Sequence, residues 1–321
     1  MHHFEELSTL FSTRFNIRHF PAEPPTLYDP ATYFLGLGGK RVRPVLCLMG
    51  NELFGPIEDD AWHVAMAIEL FHNFTLVHDD IMDKAPLRRG MPTVHEKYGA
   101  ATALLTGDVM MVMGYDYISR MQSPHIRRVL QLYNKTATEV CEGQQLDMDF
   151  ETRERVSLDE YLHMIGLKTS VLLAASLQIG SILGGAGLGN QGHIYNFGKS
   201  LGLAFQVQDD YLDSFGDPTR FGKQVGGDII AGKKTFLLIK TLEVATPAQL
   251  ARIRELERAD PATKVPAMLD LFHACGVDTW ARELKEKYLD AAYQHLEDIA
   301  VLSSRKEPLR QLAAFLVQRE S

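Results

Sequence analysis

"LVHDDIMDKAPLRRG", Leu76 to Gly90, sets three aspartates and two arginines within fifteen residues. Asp79 and Asp83 are four apart and Asp80 and Asp83 three apart, so on a helix the carboxylates crowd one side of a turn. Upstream, Val64, Ala65, Ile68, Phe71, Thr75 and Leu76 recur at a helical period. Asp59 or Asp60 can cap the start of that helix, and Pro86 stops it. The carboxylates therefore fall at the C-terminal end, where the helix dipole is already negative and like charges one turn apart repel. A solvated acidic face belongs at the other end; this one awaits a cation.

The pattern recurs. "FQVQDDYLDSFGDP" places Asp209, Asp210 and Asp213 at the same spacing, after a long apolar helical stretch and before Gly216 and Pro218. With Asp at roughly one residue in sixteen, one D-D-x-x-D arises by chance in about one chain in thirteen of this length, and two in only about a few per thousand. The doubling carries the weight.

A composition 45% hydrophobic and 23% charged over 321 residues is that of a soluble globular chain with a large core. The net charge of −8 excludes a general nucleic-acid binder. Cys47, Cys141 and Cys275 are scattered without a C-x-x-C pair, which suits a reducing cytosol and neither a disulfide framework nor a zinc site. "MHHFEELSTLF" has no basic-then-apolar leader, so the expected location is the cytoplasm. Thr169–Gly189 is long enough to span a membrane, but Gln178, interior serines and glycines mark it as a helix buried in a bundle, not an integral membrane segment.

Helical periodicity or strong helix formers run through 61–83, 100–121, 125–148, 157–183, 193–215, 234–244, 247–257 and 279–302, with "SLDEY" and "TPAQL" as helix starts. Strand alternation is scarce and no linker divides the chain, so one all-α domain over 1–321 is expected.

The cations indicate the ligand. "GLGGKRVRPV" sets Lys40, Arg41 and Arg43 after three glycines, with Pro44 suited to a first helical turn. Arg88 and Arg89 follow the first aspartates, Lys168 precedes Thr169, and "GKQVGGDIIAGKKT" adds Lys223, Lys233 and Lys234. "GDIIAGKK" mimics a P-loop but has Lys234 where Ser or Thr should stand and lacks a preceding buried strand. "HDD" at His78 evokes an HD-type metallophosphohydrolase, which leaves the second aspartate cluster unexplained. Carboxylate-only ligands favour a hard cation, Mg²⁺ over zinc. Two such clusters facing each other amid Lys and Arg suit diphosphate, and the flanking "FHNFTLV" and "VMMVMGY" add an apolar interior. The expected substrate is a greasy chain bearing a diphosphate.

On "GGKRVRP", "HDDIMDKAPLRRG", "GQQLD", "GLKTS", "FQVQDDYLD", "GKQVGGD" and the lysine that follows, in this order from Gly38 to Lys233, the chain resembles the trans-isoprenyl diphosphate synthases. The resemblance implies an isoprenoid synthase bundle of about ten core helices around a central cavity, commonly a homodimer. It implies condensation of isopentenyl diphosphate with an allylic prenyl diphosphate. Lys40, Arg43, His72 and Arg89 would hold the isopentenyl diphosphate; Arg88, Lys168, Lys223 and Lys233 the allylic one. Thr169 and Gln206 would line the reacting carbons, completing a catalytic set of Lys168, Thr169, Gln206, Arg88 and Lys223. Asp79, Asp83 and Asp209 would bind Mg²⁺, with Asp80, Asp210 and Asp213 assisting and Gln144 and Asp147 supporting the first cluster.

By the same resemblance a bulky aromatic five residues before the first aspartate limits product length to C15–C20. That residue is Phe74, although helical spacing favours Thr75 and, a turn further, Phe71. Position 72 is His where several relatives have Gln, and the basic tail of some relatives is reduced to "VQRES". A class I terpene cyclase would carry an N-S-E-type second motif and not need "GGKRVRP". A non-catalytic regulatory subunit would lose aspartates, and all six are present.

Overall fold

The computed structural model describes residues 1–216 and 226–317. The chain is 78% helical, and among the described residues strand is confined to one two-stranded hairpin. The all-α expectation holds. Two compact units arise, Met1–Leu132 with Ser176–Gln191, and Tyr133–Ala175 with Gly192–Ser321.

The first unit contains α1 (Phe4–Phe15), α2 (Pro25–Gly36), α3 (Val42–Glu52), α4 (Asp59–Met82), α5 (Val94–Tyr98) and α6 (Ala100–Ser119). It also takes the start of α7 (Ile126–Thr152) and the end of α9 (Val171–Leu183). Helix α4 is hydrophobic nearly all round and buries Val64, Ala65, Ile68, Phe71 and Phe74. It packs chiefly on α6, and next on α3. The predicted caps differ: the N-cap is Glu58, and the Asp60 carboxylate instead accepts the backbone N–H groups of Gln122 and Ser123, capping a neighbouring turn. Asp60 Oδ2 lies 3.1 Å from the Gln122 nitrogen and 2.6 Å from that of Ser123, so its carboxylate is engaged away from the first turn of α4.

Glycines let α3 and the end of α9 approach backbone to backbone. A Cβ on Gly180 would lie 1.9 Å from the Cys47 carbonyl oxygen, and one on Gly50 would lie 2.3 Å from that of Leu177. The apolar stretch Leu158–Leu183 could cross a membrane by length and composition, yet 78% of its apolar window is buried. The interior glycines that weakened the membrane reading are thus packing positions of a core helix.

The second unit holds α8 (Leu158–Ile165), a π-helical turn (Gly166–Ser170), most of α10 (Leu188–Phe215), α11 (Gly227–Ala231), α12 (Phe236–Val244), α13 (Pro247–Leu256), α14 (Pro261–Ala274), α15 (Val277–Glu297) and α16 (Ser303–Val317). Tyr161, Ile165, Val207, Phe236, Leu256, Met268, Phe272 and Leu284 build its core. "SLDEY" and "TPAQL" both start helices as expected, with Ser157–Glu160 and Thr246–Gln249 capping boxes. Helices α14 and α16 carry Pro266 and Pro308 inside them, which masks their periodicity in the sequence. The expected single helix over 157–183 is interrupted by the π turn, and the start of α10 lies five residues earlier, at Leu188, than periodicity gave.

Gly180→Ala is expected to lower the unfolding free energy by about 2–3 kcal/mol, since a backbone oxygen cannot swing aside as a side chain could. Urea denaturation measures it; a loss below about 0.5 kcal/mol would mean that α3 and α9 separate freely.

Candidate active site

In the first unit, α4 ends in a Schellman turn: Ala85 N–H bonds the Asp80 carbonyl and Lys84, at φ +51°, donates to that of Ile81. The chain then reverses through the hairpin β1 (Leu87–Arg88) and β2 (Met91–Pro92), with Leu87 opposite Pro92 and Arg88 opposite Met91. Its two-residue turn, Arg89–Gly90, has positive φ at both positions (54° and 76°), which suits the twist of a tight hairpin. The hairpin, not a continuing helix, aims the arginines.

Arg88 points back at α4. Its Nε lies 2.9 Å from both Asp80 oxygens, and Nη2 is 2.7 Å from Oδ1, a fork on a carboxylate only 1% exposed. Asp79 is half-buried and Asp83 exposed one turn on, sharing a helical face with His72 and Thr75. So of three crowded aspartates, one is turned inward and neutralised while two remain toward the outer side.

The basic residues divide in the same way. Arg41, at φ +54°, turns inward to a buried ion pair with Glu69, which also accepts from Asn73 Nδ2. Arg43 Nη1 lies 3.1 Å from His72 Nε2. Burial, then Arg43, Arg89, Arg88 and Arg41, hold His72 well below its usual pKa. The neutral ring accepts from Arg43 at Nε2 and keeps its proton on Nδ1. Burial draws Arg43 down to about 10, still charged at neutral pH. The Arg89 guanidinium lies so near Gly39 that a Cβ there would be 3.0 Å from Nη2; Gly38 (φ +79°) and Gly39 (φ +152°) make that loop possible. Lys40 is exposed in the same loop, and Pro44 sits in the first turn of α3 as expected. With Arg41 paired to Glu69 and Arg88 to Asp80, Arg43 and Arg89 beside a neutral histidine give this face a positive potential suited to an anion.

The aromatic residues lie on another side of α4. Phe74 stacks edge-on to His78 (centroids 4.8 Å) and tilts against Phe71 (5.5 Å). The His78 ring covers Gly107 of α6, whose added Cβ would meet Nε2 at 2.3 Å, and Nε2 lies 3.0 Å from the Leu104 carbonyl. Phe71 is 1% exposed, Phe74 8%, and Thr75 bonds the His72 carbonyl.

In the second unit the π turn is wedged by glycines. A Cβ on Gly143 of α7 would lie 2.3 Å from the Lys168 backbone nitrogen, and one on Gly202 of α10 would lie 2.7 Å from Ser170 Cα. The close approach seats Lys168 against Asp147 (2.6 Å) and Thr169 Oγ1 against Gln206 Oε1 (3.2 Å). Gln144 is buried on α7. Gln206 Nε2 donates to Asp210 at 2.8 Å, and the Tyr161 hydroxyl donates to the other Asp210 oxygen.

Asp209 is half-buried and Asp210 7% exposed, the same outward–inward division as in α4. With neutral donors only among the described residues, burial and then repulsion from Asp228 push Asp210 up to about 8. Asp228, raised to about 6 by burial and Asp213, gives its backbone N–H to Asp213 Oδ2 at 2.9 Å. Lys233 approaches Asp228 Oδ1 at 3.8 Å, while Lys234 bonds the Phe150 and Glu151 carbonyls at the end of α7. The adjacent lysines thus separate into one near the carboxylates and one that caps a helix. Lys223, and Arg319 of the tail, lie outside the described residues.

Sequence reasoning passed over Tyr161 and Asp228. Asp228 could have been found, since it closes "GKQVGGD"; nothing in "SLDEY" singles out the tyrosine. The donor sets fit a hard divalent cation: Asp79 with Asp83, and Asp209 beside Asp210, Asp213 and Asp228, offer carboxylate oxygens alone. Asp80, with both oxygens on Arg88, fits a supporting part.

Because folding holds His72 neutral, it excludes a proton that the unfolded chain takes up below about pH 6.5. Stability therefore falls as pH drops through that value, by up to about 1.4 kcal/mol per pH unit. His72→Gln keeps a polar side chain and removes this contribution. Urea denaturation of both proteins near pH 7.5 and near pH 5.5 is expected to show a smaller drop for the variant; equal drops would mean that His72 folds protonated.

The polyprenyl synthetase family model matches residues 24–272. A geranylgeranyl pyrophosphate synthase of Geoglobus acetivorans is 39% identical over 93% of this chain and 92% of its own. A crystal structure of a geranylgeranyl pyrophosphate synthase superposes with a TM-score of 0.94 at 42% identity, covering 100% of both chains. A polyprenyl synthase from Caulobacter crescentus CB15, solved with calcium and isoprenyl diphosphate, superposes at 0.88 with 26% identity over 99% of this chain and 97% of that one. With both aspartate motifs and the basic loop lying inside the matched span, the chain belongs to the polyprenyl synthetase family.

Proposed function

We propose that this short-chain trans-prenyltransferase condenses isopentenyl diphosphate with an allylic prenyl diphosphate, requires Mg²⁺, and stops at C15–C20. The observation that carries the reading is the doubled D-D-x-x-D helix, each copy holding one aspartate inward and leaving another toward the outer side. A cyclase or a non-catalytic subunit has no need of both. The calcium and isoprenyl diphosphate bound by the Caulobacter relative support a divalent metal, and the names of the similar synthases support a short product.

Asp79 and Asp83 take metal on α4 and Asp209 takes it on α10, with Asp80, Asp210 and Asp213 supporting from behind. Mg²⁺ held by these carboxylates would supply positive charge to the diphosphate and to the departing oxygen. Lys168, Lys233, Arg88 and Lys223 grip the allylic diphosphate and draw off its charge as the C–O bond breaks. Arg88 shares its charge with Asp80, and Lys168 with Asp147, so each is held in place before substrate arrives. Arg43, Arg89 and Lys40, with Nδ1–H of His72, hold isopentenyl diphosphate so that its double bond attacks the allylic carbon. Thr169 and Gln206 present oxygen and amide dipoles to the reacting carbons. The released diphosphate takes the proton.

Asp79→Ala or Asp209→Ala is expected to cut turnover by several orders of magnitude with the helical fold intact. Radiolabelled isopentenyl diphosphate with dimethylallyl, geranyl or farnesyl diphosphate is the assay. Near-normal condensation by either variant at saturating Mg²⁺ would overturn the mechanism. In the same assay Phe74→Ala, which opens the ring stack on α4, is expected to lengthen the products. If only Phe71→Ala does so, the floor of the cavity lies a turn deeper.

The chain acts as one catalytic domain in the cytoplasm, in keeping with cysteines that form no disulfide among the described residues and with unit boundaries that fall inside α7, α9 and α10. It acts as a homodimer. The support is a stripe along α6, where Leu104, Leu105 and Val112 are at least half exposed and Tyr115 is 37% exposed, at a helical period suited to a second copy of the same helix. Val112→Asp is expected to yield monomers by light scattering; an unchanged dimer mass would move the interface elsewhere.

A further inference from the structure

Away from the aspartate motifs, the second unit brings two histidines and a carboxylate together. His193 stands in the second turn of α10, His295 in the last turn of α15, and Asp298 is the C-cap of α15. A ring nitrogen of each histidine and a carboxylate oxygen of Asp298 all lie within 4.8 Å of one another. The imidazoles are 5.8 Å apart between centroids and tilted by 48°. Along α10, His193 precedes Asp209 by sixteen residues, roughly 24 Å of helix. This cluster is not part of the diphosphate chemistry.

Three features distinguish it from a chance surface grouping. The Nδ1 atoms of both His193 and His295 are shielded from water and have no hydrogen-bond partner among the described residues. Buried polar atoms are rarely left so, and an imidazole lone pair is satisfied equally by a proton donor or a metal. His193 Nδ1 lies 3.9 Å from Asp298 Oδ2, too far for a hydrogen bond. That is near the separation of about 3.4 Å between two ligands of one tetrahedral zinc, each about 2.05 Å from it. The other Asp298 oxygen accepts from Gln294 Nε2 at 3.1 Å, which orients the carboxylate as the outer partners of metal ligands do. Two cations of α16 are held by Glu297 instead: Lys306 Nζ bonds the Glu297 carbonyl at 2.6 Å, and Arg310 pairs with the Glu297 side chain.

We propose that His193, His295 and Asp298 form a binding site for a borderline transition metal, Zn²⁺ or its analogue Co²⁺, with water as the fourth ligand. Imidazole nitrogen selects such ions over Mg²⁺, so the chain sorts two kinds of metal by donor type. Cysteine spacing excluded zinc; the histidines supply it instead. The ligand pair at i and i+3 lies at the negative end of the α15 dipole, which favours a cation. The bound ion clips the beginning of α10 to the end of α15, a structural role rather than a catalytic one.

The test uses full-length protein, stripped with a chelator and returned to saturating Mg²⁺ so that the aspartates are filled. Because His2 lies 2.6 Å from Glu52 and offers a competing nitrogen, His2→Ala serves as background for every sample. One equivalent of Zn²⁺ is expected by calorimetry, with intense visible Co²⁺ bands of a four-coordinate site and a zinc-dependent rise in melting temperature. His295→Ala is expected to lose the equivalent, the bands and the rise, while its metal-free melting temperature and prenyl transfer stay unchanged. His193→Ala is expected to do the same. Equal zinc uptake by wild type and either variant, or no uptake by wild type in saturating Mg²⁺, overturns the proposal and leaves a plain His193–Asp298 ion pair.

Discussion

A helix turns by about 100° per residue, so two consecutive aspartates on it cannot face the same way. Much of the active-site architecture answers that constraint. In each D-D-x-x-D the first aspartate stays half-exposed and the second is forced into the protein, Asp80 at 1% and Asp210 at 7% exposure. A buried carboxylate must be paired or give up its charge. The two motifs solve this differently. Asp80 receives the fork of Arg88 from a hairpin eight residues on. Among the described residues Asp210 receives only the Tyr161 hydroxyl and the Gln206 amide, and with Asp228 nearby its pKa climbs to about 8.

The consequence is an asymmetry between the two aspartate clusters. The α4 cluster arrives with a positive charge built in behind it, whereas the α10 cluster of Asp209, Asp210 and Asp213 lies beside a further carboxylate, Asp228. The second is therefore the more dependent on a cation for its electrostatic balance. The basic residues are sorted by the same rule. Arg41 and Lys234 serve buried Glu69 and the end of α7, while Arg43 lies against His72, Arg89 against the Gly39 loop and Lys233 near Asp228. Adjacent residues of one charge take opposite roles because backbone geometry, positive φ at Arg41 and Arg89 included, sends them in opposite directions.

Glycine sets the distances. At Gly107, Gly143, Gly202, Gly50 and Gly180 a methyl group would collide with a neighbouring side chain or backbone at 1.9–2.7 Å. Gly143 and Gly202 hold the π turn from two sides, which seats Lys168 on Asp147 and Thr169 on Gln206. A π turn at a functional site is a recurrent device, since the extra residue rotates side chains out of helical register.

The sequence by itself determined the all-α class, most helices, two capping boxes, the doubled aspartate motif and the ordered run of family motifs. These are local signals, written in spacings of three and four residues and in the chemistry of single side chains. It did not reveal α2, α14 and α16, where internal prolines break the pattern, the short α5 and α11, or the π turn, which has helical composition but a different hydrogen-bond register. Tertiary structure alone decided that Arg88 belongs first to Asp80, that Tyr161 holds Asp210, and that Lys233 and Lys234 part ways. It alone brought His193 to His295 and Asp298, which no spacing rule connects. Each of those pairings depends on which face of one helix meets which face of another, and that is set by packing many residues away rather than by the local sequence.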